Sequence, residues 1–135
     1  MDRVKNKACI VTGAGSGIGR AIAIRLAEEG GNILCVDINP DTAAATAQDI
    51  QTAGGTAEAF TADISQNDQV CAFVDHCVST YGSVDILINN AGVNLPGVFH
   101  EVTDDTIDKT LNINVKGTMY ASRAAIPHML RQGKG

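Results

Sequence analysis

Four glycines lie close together near the start of the chain, in the segment Thr12-Gly13-Ala14-Gly15-Ser16-Gly17-Ile18-Gly19. Glycine permits positive φ angles and lets backbone N–H groups approach a ligand closely. The helix that is predicted to begin at Ile18 directs the partly positive end of its dipole toward the same segment. Gly19 can also let this helix pack tightly on the preceding strand. The segment is therefore predicted to bind a phosphate group.

The spacing of these glycines differs from the G-x-G-x-x-G pattern that many dinucleotide-binding turns share. Ile18 stands where that pattern needs its third glycine, so the segment reads Thr-Gly-x-x-x-Gly-x-Gly. Asp37 ends the next apolar run, at a position from which a carboxylate can accept hydrogen bonds from ribose hydroxyls. A carboxylate repels a 2′-phosphate, and the next residue, Ile38, carries no positive charge. The pattern favours NAD as the ligand and makes NADP the less favoured cofactor.

Further polar residues follow the third and fourth apolar runs. Asp63 and Ile64 come after the third, where Asp63 also suits the start of a helix near Ser65. The segment Asn89-Asn90-Ala91-Gly92 comes after the fourth and has the composition of a turn. Its small residues would let the backbone approach a ligand. Asn114 lies in the last predicted helix, where by itself it is an ordinary polar residue.

Taken together, these segments resemble the short-chain dehydrogenase/reductase family. The Thr12–Gly19 segment resembles the cofactor motif of that family, and Asn89-Asn90-Ala91-Gly92 resembles its Asn-Asn-Ala-Gly signature. Asp63 is similar to its adenine-contacting Asp, and Asn114 to an Asn of its catalytic site, which implies that Asn114 helps to hold a water in a proton relay. The resemblance implies a cofactor site formed by Gly13, Ser16, Gly17, Ile18, Gly19, Asp37, Ile38, Asp63, Ile64, Asn90, Ala91 and Gly92.

The proton-transfer residues of the family, a Ser and a Tyr-x-x-x-Lys, have no match in this chain. Tyr81 is followed four residues later by Asp85, and Tyr120 by Ala124. The resemblance therefore implies an N-terminal fragment that is inactive alone. It also implies that the intact protein is a longer, homo-oligomeric enzyme, which would transfer a hydride between nicotinamide and a small alcohol or carbonyl substrate. His100, in the loop after the fourth run, is a weaker candidate for substrate contact.

Two other functions stay open at this point. The first is a dinucleotide-binding module without catalysis. The second is a Rossmann-like methyltransferase, because such enzymes also combine a glycine-rich first turn with acids after the second and third strands, as Asp37 and Asp63 are placed. The spacing of the Thr12–Gly19 segment and the Asn89-Asn90-Ala91-Gly92 segment argue against the methyltransferase.

Short apolar runs alternate with helical patterns along the chain. Strands apolar on both faces, each followed by a helix, predict a Rossmann-like doubly wound parallel sheet. We expect one domain over residues 1–135, with strand order 3-2-1-4, truncated after the fourth strand and its long helix. Strands are predicted at 8–12, 32–37, 56–62 and 84–89, and helices at 18–29, 40–53, 65–81 and onward from 103. The expected helix caps are Asn39 with Pro40, a capping box at Ser65-Gln66-Asn67-Asp68, and Thr103.

Composition limits the partners. The net charge is −5 and no segment concentrates Lys or Arg, so neither nucleic acid nor an anionic membrane is an expected partner. No signal-peptide pattern and no run of membrane-spanning length occur, which favours the cytoplasm. The four cysteines form no C-x-x-C pair and are expected to be reduced, with no metal bound. The fourth strand is expected to be an apolar sheet edge, which favours self-association.

Overall fold

The computed structural model describes residues 2–135. Its sheet has four parallel strands, which are β1 (Ala8–Thr12), β2 (Asn32–Asp37), β3 (Thr56–Thr61) and β4 (Ile86–Ile88). Their order across the sheet is β3-β2-β1-β4, as predicted. In β1, Ile10 pairs with Leu34 on one side and Leu87 on the other.

Helices cover both faces of this sheet, because the side chains of each strand alternate between two apolar cores. On one face, Ile10 and Leu34 belong to a buried cluster with Phe73. On the other, Val11 belongs to a cluster with Ala23. This is the predicted doubly wound architecture. The helices are α1 (Gly17–Glu28), α2 (Pro40–Thr52), α3 (Asn67–Tyr81), α4 (Asp104–Leu111) and α5 (Thr118–Gln132), with a 3-10 turn at Phe99–Glu101 and a π-helical segment at Asn112–Gly117.

Two of the predicted helix caps are confirmed. The side-chain oxygen of Asn39 accepts hydrogen bonds from the N–H groups of Asp41, at 3.0 Å, and Thr42, at 3.3 Å. The hydroxyl of Thr103 accepts one from the N–H of Thr106 at 3.2 Å. Side chains at these positions satisfy N–H groups that have no partner within the helix.

The predicted capping box at residues 65–68 is wrong. The cap of α3 is Gln66, which makes no side-chain hydrogen bond to the helix. The Ser65 hydroxyl donates instead to the carboxylate of Asp63, at 2.8 Å. Since that same carboxylate oxygen also accepts the Ser65 N–H at 2.9 Å, Ser65 is part of the loop after β3.

The fourth strand is shorter than predicted because both ends of the apolar run bond to side chains. The Gln132 amide accepts the N–H of Val84 at 3.1 Å and donates to its carbonyl at 3.0 Å. At the other end, the Asn90 N–H donates to the Thr12 hydroxyl at 3.1 Å. Only Ile86–Ile88 remains as regular strand, and it forms one edge of the sheet.

The sequence pattern predicted one long helix from residue 103 onward. The structure instead has a π-helical segment that separates α4 from α5. Gly117, within this segment, is buried against the loop that follows β3. A Cβ on Gly117 would lie only 2.6 Å from Cδ1 of Ile64, so the helix approaches this loop closely. Such local widenings of a helix often occur at functional sites.

A buried carboxylate joins the opposite end of the sheet, where β4 begins. Asp85 accepts hydrogen bonds from the Ala8 N–H at 2.9 Å and the Ser83 hydroxyl at 2.8 Å. Its other carboxylate oxygen lies 3.9 Å from the ammonium of Lys7 and 3.8 Å from that of Lys134. Burial raises the pKa of Asp85, but the two hydrogen bonds and the lysines more than offset burial, so the pKa lies below its ordinary value.

Candidate functional site

A cavity of about 430 Å³ opens at the carboxyl ends of the strands, where ligands bind in open α/β sheets. Every residue of the expected cofactor site lines this cavity except Gly19. The lining residues are Gly13, Ser16, Gly17, Ile18, Val36, Asp37, Ile38, Ala62, Asp63, Ile64, Asn90, Ala91, Gly92, Val93 and Ile113. Sequence reasoning missed four of them, whose only signal is that each adjoins a singled-out residue in the sequence: Val36, Ala62, Val93 and Ile113.

The glycines of the turn between β1 and α1 serve different purposes. Gly13 and Gly17 have φ angles of 66° and 53°, a region that L-residues with a side chain rarely adopt. Gly19 packs the helix against the turn, because a Cβ there would lie 2.1 Å from the carbonyl oxygen of Gly13. Gly19 therefore positions the turn from behind and does not face the cavity.

The N-terminus of α1 leaves backbone donors for a ligand at this cavity. Its cap residue, Ser16, makes no side-chain hydrogen bond to the helix, unlike the caps of α2 and α4. The first N–H groups of a helix have no partner within the helix, and they lie at the positive end of its dipole. Because Ser16, Gly17 and Ile18 all line the cavity, this helix end fits a phosphate group.

The Asp37 carboxylate is held by two backbone donors at the end of β2. One oxygen accepts the Gly15 N–H at 2.8 Å and the other accepts the Asn39 N–H at 3.0 Å. The side chain is half-buried and lines the cavity. No Lys or Arg is among the lining residues, so nothing at this wall offsets the negative charge of the carboxylate. Such a wall suits ribose hydroxyls and disfavours a phosphate.

The adjoining wall is apolar apart from Asp63. One Asp63 carboxylate oxygen accepts both hydrogen bonds from Ser65, so Asp63 has the loop-forming role that the sequence left open. Its second oxygen has no hydrogen-bond partner among residues 2–135. Ile38 and Ile18 are 66% and 74% exposed, although large apolar side chains are usually buried. Exposed apolar surface at the mouth of a cavity is typical of a site that a ligand covers.

A hydrogen-bonded hub at Thr12 joins the fourth strand to the turn. The buried Thr12 hydroxyl donates to the Ile88 carbonyl at 3.2 Å and accepts the N–H groups of Asn90 and Ala91, both at 3.1 Å. The Asn90 amide donates in turn to the Thr12 carbonyl at 3.0 Å. The Thr12 hydroxyl therefore positions the end of β4 against the glycine-rich turn. From the sequence alone, Thr12 was only the first residue of the motif.

Asn114 lies in the π-helical segment, close to the cavity. Its side-chain oxygen accepts the Val93 N–H at 2.8 Å, and its side-chain nitrogen donates to the Val93 carbonyl at 2.8 Å. Both atoms of the amide are thus engaged with one residue of the cavity wall. In this structure the side chain of Asn114 fixes the loop after β4.

Neither tyrosine lies in the cavity wall. The Tyr81 hydroxyl donates to the Ile33 carbonyl at 3.0 Å, and burial raises its pKa well above the ordinary range. The Tyr120 ring packs against the guanidinium of Arg123, whose carbon lies 5.3 Å from the ring centroid. The His100 side chain is 80% exposed and also lies outside the residues that line the cavity.

The cysteines take no part in the site either. Cys71 is exposed, and the other three are buried. Burial raises the pKa of Cys9, Cys35 and Cys77 to about 12 each. Within residues 2–135, no cluster of His, Cys, Asp and Glu side chains is suited to bind a metal ion. No helix in the same range has the length and apolar character needed to span a membrane.

Comparison with known proteins agrees with this geometry. The sequence pattern described as "short chain dehydrogenase" matches residues 7–135. An uncharacterized oxidoreductase, YxbG, of Bacillus subtilis is 40% identical over 134 residues, which cover 98% of this chain and 49% of that protein. A 3-oxoacyl-(acyl-carrier-protein) reductase, FabG, of Staphylococcus epidermidis is 37% identical over 131 residues, or 96% of this chain and 54% of that protein.

Solved structures show the same relationship. A hydroxysteroid dehydrogenase from Escherichia coli superposes with a TM-score of 0.93 at 37% identity, over 97% of this chain and 55% of that one. A metagenomic short-chain oxidoreductase in complex with NADP gives 0.93 at 32% identity, over 98% and 60%. The chain thus spans about half the length of the curated relatives it matches. Neither the pattern nor these relatives support the methyltransferase alternative. The chain belongs to the short-chain dehydrogenase family.

Proposed function

We propose that this chain is the NAD-binding portion of an NAD-dependent short-chain oxidoreductase. The observation that carries the proposal is the Asp37 carboxylate, held by the N–H groups of Gly15 and Asn39 at a cavity wall without Lys or Arg. A fixed carboxylate can accept hydrogen bonds from both hydroxyls of an adenosine ribose. It repels the 2′-phosphate that distinguishes NADP from NAD. One structural relative binds NADP, so the choice of NAD rests on this wall alone.

The remaining residues of the site would each bind a different part of the dinucleotide. The turn from Gly13 to Gly19 and the N-terminus of α1 would bind the pyrophosphate. Ile38, Asp63 and Ile64 would surround the adenine, with Asp63 offering its free oxygen. Asn90, Ala91 and Gly92 would lie along the nicotinamide half, at the switch point between β1 and β4. When bound, the nicotinamide supplies hydride transfer.

For the whole enzyme we propose oxidation of a small alcohol, or reduction of the matching carbonyl. The residues that transfer the proton would come from outside this chain, since neither tyrosine faces the cavity. Asn114 would contribute by fixing Val93, and its expected role with a relay water stays a proposal.

We further propose a homo-oligomer in the cytoplasm. A stripe of exposed apolar side chains along α4, the π-helical segment and α5 supports self-association. The stripe consists of Ile107, Leu111, Val115, Met119, Ile126 and Leu130.

Calorimetric titration of the chain with NAD+, NADP+ and S-adenosylmethionine tests the proposal. We expect binding of NAD+, weaker binding of NADP+, and none of S-adenosylmethionine. The Asp37→Asn variant is the matched control, because it keeps the shape of the side chain and removes its charge. This variant should narrow the difference in affinity between NAD+ and NADP+. Binding of S-adenosylmethionine alone, or preference for NADP+ by the unaltered chain, would overturn the proposal.

A second assay separates an enzyme from a binding module. The full-length protein should reduce NAD+ when it is supplied with a panel of simple alcohols. Tight NAD+ binding without turnover of any alcohol or carbonyl compound would favour the module.

A further inference from the structure

Gly15 is the one glycine of the turn whose role neither its φ angle nor the packing of α1 explains. Its φ lies outside the left-handed region that Gly13 and Gly17 adopt. A Cβ at Gly15 would instead lie 2.2 Å from Oγ1 of Thr42 and 2.8 Å from its Cβ. The same Cβ would lie 2.9 Å from Oδ2 of Asp37. Gly15 is therefore required by the space that Thr42 and Asp37 already occupy.

Thr42 has little freedom to move away from Gly15. Its N–H donates to the Asn39 cap at 3.3 Å, and its hydroxyl donates to the Asn39 carbonyl at 3.3 Å. One turn further along α2, the fully buried Thr46 hydroxyl donates to the Ala14 carbonyl at 2.9 Å. The second turn of α2 is thus hydrogen-bonded directly to the glycine-rich turn, and Thr42 in the first turn packs against Gly15. A side chain at residue 15 could not be accommodated by a simple shift of Thr42.

We propose that Thr42 is a positioning residue for cofactor choice, acting through Gly15 on the Asp37 carboxylate. This inference rests on the proposed function. With Thr42 packed against Gly15, the Gly15 N–H donates to Oδ2 of Asp37, at 2.8 Å. The second oxygen is held by Asn39, so the carboxylate stays at the ribose wall of the cavity. Thr42 and Gly15 thereby select the ribose with a free 2′-hydroxyl over the 2′-phosphate.

The test is a double-mutant cycle with Gly15→Ala and Thr42→Gly, read as the ratio of Kd for NADP+ to Kd for NAD+. The added methyl of Gly15→Ala should displace Asp37 and lower this ratio roughly tenfold, the effect of losing a hydrogen bond to a charged group. Adding Thr42→Gly removes both contacts with residue 42, so residue 15 can then move away from Oδ2 of Asp37, which should restore most of the ratio. Ala45→Gly, at an exposed position of α2, controls for the loss of helix propensity.

The outcomes separate the inference from the proposed function. If Gly15→Ala weakens both dinucleotides equally, Gly15 only shapes the turn and the inference is wrong. The inference also fails if Thr42→Gly does not rescue Gly15→Ala. If the unaltered chain binds neither dinucleotide, the proposed function is wrong.

In that case, NMR of the chain without a dinucleotide still tests the positioning role of Thr42. The amide proton of residue 15, which donates to Asp37, should exchange slowly with solvent in the unaltered chain. It should exchange faster in Gly15→Ala and slowly again in the double variant. Equal exchange rates in all three chains would contradict the role of Thr42.

Discussion

The Thr12→Val variant offers the sharpest test of how this site is held together. Valine has nearly the shape of threonine but cannot donate or accept a hydrogen bond. The substitution removes the hydroxyl that bonds to Ile88, Asn90 and Ala91. Since Thr12 is only 1% exposed, water cannot readily take the place of the hydroxyl. The fold should persist, while the end of β4 loses its attachment to the turn.

The size of the stability loss depends on which backbone groups lose their only hydrogen-bond partner. The Ile88 carbonyl and the Asn90 N–H still bond to each other at 3.1 Å, so each keeps one hydrogen bond. The Ala91 N–H loses its one partner among residues 2–135. An unsatisfied donor costs about 1–3 kcal/mol, and each of the two lost bonds at Ile88 and Asn90 about 0.5–1.5 kcal/mol, so we expect a total loss of about 2–6 kcal/mol.

Urea unfolding followed by circular dichroism measures this loss. With a slope of about 1–3 kcal/mol per M, the midpoint of Thr12→Val should fall by roughly 1–3 M. Thr12→Ser is the matched control, because it keeps the hydroxyl and loses one methyl group, at about 1 kcal/mol. The reasoning is refuted if Thr12→Val is as stable as Thr12→Ser or more stable.

Three further predictions concern other parts of the chain. The depressed pKa of Asp85 means that its ionised form stabilises the fold above its ordinary pKa of 3.8, and that this stability is lost as pH falls through the folded value. Asp85→Asn should therefore lower the urea midpoint at pH 7 and flatten its fall in acid. An aromatic disulfide reagent should modify only Cys71 in the folded chain, because the other thiols are buried and resist ionisation. The open edge of β4 should make the chain self-associate in sedimentation experiments.

Each of these predictions has a clear contrary result. If the urea midpoint falls as steeply with acid in Asp85→Asn as in the unaltered chain, Asp85 does not contribute to the pH dependence of stability. Rapid modification of a Cys71→Ser variant in its folded state would show that a buried thiol is accessible. A sharp monomer whose sedimentation does not change with concentration would contradict association through β4.

Most of the fold could be predicted from local patterns. Strands apolar on both faces, such as β1 and β2, must be covered on both sides, and the helices between them then impose a parallel, doubly wound sheet. The position of the glycine-rich turn between strand and helix likewise predicts a phosphate site. Because Asp37 ends a predicted strand, the sequence also predicts that it contacts the ribose, and both roles stay predictions. The family resemblance, confirmed by comparison, rests on these same segments.

The specific contacts of the site were decided only by the tertiary structure. The Thr12 hub joins residues almost eighty positions apart, and no local pattern shows which buried hydroxyl will meet which N–H. The same holds for Asn114, whose partner Val93 lies on another element, and for Gly15, which is required by Thr42 rather than by its own backbone angle. Burial periodicity and turn chemistry act over a few residues and can be read from sequence. Close packing between distant segments depends on how the elements meet, and that depends on the whole fold.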